Sequence, residues 1–205
     1  MGKGAMGKGL IETIHLPKSW KIVSFKEIAG IIVPTRDKPK RFCGDIPWIT
    51  LPDIKDFFIT DAIHQLSHTD AAAVGNRLMP SETVLSICAG SLGKVCLTTR
   101  EVYANQQFYG LVSNRDLVEP IYLALSLGNL SESFYQGLAG VSTIGFFSKE
   151  KALSIKIPLP PLEEQQKFAT IVQRFERLRT QQRESDRQAE HLSQSILHRA
   201  FRGEL

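Results

Sequence analysis

His64-Gln-Leu-Ser-His68 sets two histidines four residues apart, so a helical segment would carry both on one face. That spacing can bind zinc. The general base of a zinc protease is replaced here by Gln65, and no third ligand is evident, so a surface or capping role is expected. Pro52-Asp-Ile-Lys55 is a fragment of the pattern by which nucleases hold a metal and activate water, without a second well-placed acid. Arg36, Lys38, Lys40 and Arg41 put four cations within six residues, opposed only by Asp37 and interrupted by Pro34 and Pro39 nearby. Such a loop suits a phosphate backbone. The bland alternative is a solvated surface loop.

Catalytic signatures are otherwise missing. Gly90-Ser-Leu-Gly93 and Gly137-Leu-Ala-Gly140 lack the residues and strand–helix context of phosphate-binding loops. No Asn/Asp-Pro-Pro-Tyr/Phe methyltransferase tetrapeptide and no nucleophile elbow occur. The chain reads as a binding module, not an enzyme, and no cofactor is expected.

The 205 residues suffice for one domain with an appendage, and 42% hydrophobic against 22% charged residues is a globular composition. A formal net charge of +4 permits a nucleic-acid partner without demanding one. No apolar run reaches about 18 residues, so no membrane partner is expected. The glycine-rich start repeats Met-Gly-Lys-Gly at Met1 and Met6 and has no apolar signal region, so residues 1–14 are expected to be a flexible tail. Cys43, Cys88 and Cys96 form no CxxC pair. Cys88 and Cys96 are expected as buried thiols, in a reducing, cytoplasmic compartment.

Short apolar runs with turn punctuation predict strands at Ile46–Leu51, Thr83–Cys88, Lys94–Leu97, Phe108–Val112 and Ile155–Leu159. Ala62–Val74 and Glu119–Leu130 read as helices, the second with Asp116 as a candidate cap and Pro120 in its first turn. Trp20 and Trp48 are expected as core aromatics. Without a regular βαβ rhythm the expectation is α+β: a globular domain over residues 15–160, with a mixed or antiparallel sheet and short helices.

Residues 161–205 differ. Between Pro161 and Gly203 there is neither Gly nor Pro, and Glu163, Glu164, Arg199 and Arg202 suit the two ends of one helix of about 60 Å. Phe168, Phe175, Gln182, Ala189 and Ile196 form one heptad seam; Ile171, Leu178, Ser185, Leu192 and Arg199 form the other. Period 3.5 and this length predict a dimerising coiled coil. The polar centre at Gln182 and Ser185, beside Asp186, would meet itself in either a parallel or an antiparallel pair. Packing of the helix on its own globule is the alternative.

Several segments resemble, in order, the target recognition domain of type I restriction–modification specificity subunits. They are His15-Leu-Pro-Lys-Ser-Trp20, Gly44-Asp-Ile-Pro-Trp-Ile-Thr50, Pro80 with Thr83–Ser86 and Gly90-Ser-Leu-Gly-Lys94, Asn105-Gln106-Gln107, and Thr143-Ile-Gly145 with Ser148. The most specific is Ile157-Pro-Leu-Pro-Pro-Leu-Glu-Glu-Gln165, which looks like the junction to the family's long helix. Arg199–Leu205 is similar to the family's helix terminus.

The resemblance implies a non-catalytic subunit that binds double-stranded DNA and directs methyltransferase, and in full complexes restriction, subunits to a bipartite site. The family usually carries two recognition domains and two antiparallel helices in one chain. One of each here implies either a half-subunit acting as a homodimer on a palindromic target or a piece of a longer tandem subunit. Expected DNA contacts are Arg36, Lys38, Lys40, Arg41, Lys94, Arg100 and Lys149 for phosphate, and Asn105, Gln106, Gln107, Ser142 and Thr143 for bases, the first three of these with turn bonding as an equal alternative. A small metal-dependent nuclease using Asp53 and Lys55, and a coiled-coil adaptor without nucleic acid, are the rival readings.

Overall fold

The computed structural model describes residues 16–88, 93–130 and 148–204. It divides into two compact units, Met1–Gln166 and Lys167–Leu205.

The first unit is α+β. Ten strands are described: β1 (Lys21–Ser24), β2 (Ala29–Ile32), β3 (Ile46–Ile49), β4 (Phe58–Ile59), β5 (His64–Leu66), β6 (Val84–Ile87), β7 (Val95–Thr98), β8 (Tyr103–Ala104), β9 (Phe108–Ser113) and β10 (Lys156–Leu159). They form a five-stranded sheet in the order β2-β9-β6-β7-β4, a three-stranded sheet β5-β3-β8 and the pair β1-β10. Pairing is antiparallel except for β4 with β7 and β3 with β8. Short helices α1 (Phe25–Ile28), α2 (His68–Ala73), α3 (Pro120–Gly128) and α4 (Lys149–Leu153) lie between them. A core of Ile49, Met79, Leu85, Ile87, Val102 and Phe108 joins the two larger sheets. The strands expected from the sequence are present to within a residue or two at each end; Ile46–Leu51 stops as a strand at Ile49. There the chain turns into a 3-10 helix at Leu51–Asp53.

Ala62–Val74 is not one helix. Its first part is β5, paired antiparallel with β3 from Ile46↔Leu66 to Trp48↔His64. Helix α2 starts only after Ser67, whose hydroxyl caps it by accepting the Asp70 N–H at 3.1 Å. Cross-strand pairing outweighs the helical pattern. Asp116 does not cap α3 either. Glu119 does, accepting the Tyr122 N–H at 3.0 Å, and burial raises its pKa. Trp48 is buried as expected, whereas Trp20 is half-buried and donates its indole N–H to Glu164 at 3.1 Å. Cys88 and Cys96 are buried, and burial pushes both thiols up to about 12, which leaves them inert.

At the junction, β10 lies on β1, and the Tyr122 hydroxyl donates to the Pro158 carbonyl at 2.6 Å. Gln165 is fully buried and bonded at both ends of its amide. The helix α5, Leu162–Phe201, is continuous over 40 residues. In it Ile171, Phe175, Leu178, Leu192 and Ile196 are exposed, Phe175 by 58% and Ile171 by 67%. No described helix is long and apolar enough to cross a membrane.

Candidate nucleic-acid interface

The basic loop precedes β3. Pro34 and Pro39 are buried and pin it, while Arg36, Lys38, Lys40 and Arg41 are exposed. Prolines hold the local backbone with fixed φ, so the cations are presented on a stiff frame. Phe42 ends the loop on an aromatic platform: its ring lies 4.5 Å from that of His64, stacked, and 4.9 Å from that of Trp48. The Lys38 ammonium sits 5.8 Å over Phe42.

Arg41 is tied to Asp70 at 3.3 Å. The Ser67 hydroxyl, then the Cys43 thiol and Arg41, hold the Asp70 carboxyl below the ordinary aspartate range. Lys40, Arg41 and Asp70 line a pocket of about 210 Å³ with Ala73 and Val74. Arg100 joins this end through a hydrogen bond from its guanidinium to the Asp45 carbonyl, at 3.0 Å.

Cys88 organises a second cluster. Its N–H donates to the Gln107 carbonyl at 2.8 Å, its thiol faces the Gln106 carbonyl, and it packs with Tyr109 and Ala152. That places the Asn105–Gln107 turn and Lys149, on the same helix as Ala152, near one another. Lys94 joins them, since its carbonyl accepts the Ile87 N–H beside Cys88. Lys94 and Arg100 flank opposite ends of β7, a four-residue strand of about 13 Å. The expected contacts therefore form two groups: Arg36, Lys38, Lys40, Arg41 and Arg100 in one, and Lys94, Lys149 and Asn105–Gln107 in the other. Ser142 and Thr143 lie outside the described residues.

The turn is internally bonded. Asn105 donates its amide to the Gln107 side-chain oxygen and accepts the Gln107 N–H, both at 3.0 Å. Gln106 alone of the three is exposed.

Asp53 has a structural task. Its carboxylate accepts the Thr50 N–H and hydroxyl and the Ile63 N–H, at 2.8, 2.6 and 2.9 Å. His64 and His68 sit on a strand and a helix, and His68 Nδ1 faces the Tyr103 hydroxyl at 2.9 Å. Among the described residues no three His, Cys, Asp or Glu side chains gather as a ligand set. The sequence reading missed the Phe42–His64 stack and the Asp70 clasp. Both depend on the pairing of β3 with β5, which no local pattern announces.

The model of the type I restriction modification DNA specificity domain matches residues 17–190. The chain belongs to this family. It is 27% identical over 170 residues to the type I restriction enzyme MjaIX specificity subunit of Methanocaldococcus jannaschii, covering 80% of this chain and 39% of that protein. It is 24% identical over 122 residues to the HindI specificity subunit of Haemophilus influenzae, covering 57% of this chain and 27% of that one. The specificity-domain chain thus spans well under half the length of these curated relatives.

In fold it is similar to the HsdS subunit of Thermoanaerobacter tengcongensis, with a TM-score of 0.61 at 24% identity over 94% of this chain and 47% of that one. A chain from a structure of type I R-M complex assembly and conformational transition gives 0.63 at 24% identity, over 98% and 51%. These likenesses are of fold. They show the α+β unit and long helix to be the family's architecture.

Proposed function

We propose that the chain is a non-catalytic specificity subunit that reads double-stranded DNA for a type I restriction–modification system. The observation that carries this reading is the specificity-domain match over residues 17–190, with its specific junction bonded as a built element at Gln165. The Arg36–Arg41 loop and Arg100 supply phosphate contacts on one side, and Lys94 and Lys149, beside the exposed Gln106, on the other. Methyltransferase and restriction subunits are its protein partners, and the cytoplasm its place of work.

Two copies act together through α5 as an antiparallel coiled coil. The exposed apolar seam, interrupted at Gln182 and Ser185, supports this, because such a face is stable in water when a second helix covers it. Each copy then reads one half-site, and the helix pair sets their separation on a palindromic, bipartite target.

The test is methylome sequencing of cells expressing the chain with its methyltransferase. A gapped, two-fold symmetric methylated motif is expected. An unchanged methylome despite an assembled complex overturns the reading. Light scattering tests the pairing separately: Phe175→Asp with Leu178→Asp should convert a dimer to a monomer.

A further inference from the structure

We propose that Arg179 and Asp186 form a reciprocal charge pair across two copies of α5, which selects the partner chain, its direction and its register. This rests on the paired-helix reading above and adds to it the residues that decide which helix is accepted.

The heptad fixes where each side chain lies. With Phe175, Gln182 and Ala189 at the a positions and Leu178, Ser185 and Leu192 at d, Arg179 and Asp186 both fall at e, one heptad apart. Positions e and g flank the apolar seam, and their charges set partner choice and orientation in coiled coils. Both residues are exposed. Arg179 spends one guanidinium nitrogen on Glu176 at 2.7 Å, which leaves other donors of its five N–H groups available. Asp186 forms no ion pair with another described residue.

In an antiparallel pair, e faces e of the other helix. When the polar centre meets itself, so that Gln182 opposes Ser185 of the second copy, Arg179 faces the second copy's Asp186. By symmetry Asp186 faces the second copy's Arg179, so the contact is made twice. Sliding the helices by one heptad layer in one direction places Arg179 against Arg179, and in the other direction Asp186 against Asp186. A parallel pair brings g against the following e of its partner, which sets Arg174 against Arg179 on both sides. Of these arrangements, the antiparallel centred one alone joins opposite charges at Arg179. The apolar seam leaves direction open, and the flanking charges close it. Like charges brought together exclude wrong partners more effectively than a solvent-exposed ion pair adds affinity.

The experiment uses the full chain in sedimentation equilibrium, as wild type, Arg179→Asp, Asp186→Arg, an equimolar mixture of the two variants, and the double variant. Each single variant should self-associate about tenfold or more weakly, since it faces its own charge twice. The mixture should recover pairing as a heterodimer, because one chain then carries two acids and the other two arginines. The double variant should recover the homodimer. Recovery in the mixture also shows that the single variants are folded. A wild-type dimer with unaltered single variants, or a mixture no tighter than its components, overturns the charge pair and leaves the paired-helix reading standing. Tighter self-association of Arg179→Asp would show parallel pairing and overturn it too. A monomeric wild type defeats the paired helix itself, and the charge pair with it.

Discussion

The side-chain oxygen of Gln165 accepts the backbone N–H of Glu119 at 2.9 Å, across 46 residues of sequence. The same amide donates to the Leu117 carbonyl at 3.2 Å and the Pro160 carbonyl at 2.8 Å. One buried glutamine thus joins the start of α3 to the first turn of α5. This gives the Pro-Leu-Pro-Pro-Leu-Glu-Glu-Gln segment its physical sense: the prolines end β10, and the glutamine satisfies backbone groups that burial would otherwise strand.

Gln165→Ala removes three hydrogen bonds from a buried site and should cost about 2–4 kcal/mol. Gln165→Glu should be no better at neutral pH, because a carboxylate donates to neither carbonyl. Protonation restores one donor, so the glutamate variant should regain part of the loss in acid. Urea unfolding at two pH values checks this.

Gly44 has a φ of +153°, and a Cβ there would lie 2.1 Å from the Leu66 carbonyl carbon. Gly75 has a φ of +65° with nothing within 4 Å of the added carbon. Gly44→Ala must therefore push β5 from the loop before β3 and should cost about 3 kcal/mol. Gly75→Ala meets only backbone strain, about 1 kcal/mol. A smaller loss for Gly44→Ala than for Gly75→Ala in thermal unfolding would contradict the close approach.

Much of this was legible in the sequence, for definite reasons. Short β-branched runs bounded by Gly and Pro marked β6, β7, β9 and β10, and the absence of both residues after Pro161 marked α5. Ala62–Val74 misled because apolar residues at helical spacing also fit a strand followed by a capped turn of helix. Only the distant partner, β3, decides between them. The Arg36–Arg41 cluster was visible as charge, but its anchoring by Phe42 on His64 and by Asp70 was not. Trp20 read as core because tryptophan is large and apolar, yet its indole N–H has a use at the surface, on Glu164.

Asp70 makes the basic loop's anchorage acid-sensitive. Its folded pKa lies below the ordinary 3.8, chiefly because the Ser67 hydroxyl bonds the carboxylate. Its stabilisation is therefore complete above the ordinary value and is lost as pH falls through the lowered folded value. Asp70→Asn should flatten the stability profile between about pH 5 and pH 2, and an unchanged profile would remove Asp70 from the account.

The cationic and the amide members of the candidate DNA contacts should separate by salt dependence. Phosphate contacts release counterions, so Lys40→Ala and Arg36→Ala should each lower the salt slope of DNA binding by about 1, uniformly across sequences. Arg41 is already committed to Asp70, so Arg41→Ala should change the slope less. Gln106→Ala should leave the slope alone and relax discrimination at one base pair by about 1–3 kcal/mol, because its exposed amide is free for a base edge. Asn105→Ala should instead lower thermal stability, since both ends of its amide hold the turn. Binding titrations at several salt concentrations, on the methylated motif and on a one-base variant of it, measure the first four, and thermal unfolding measures Asn105→Ala. A slope loss for Gln106→Ala equal to that for Lys40→Ala would assign Gln106 to the phosphate backbone.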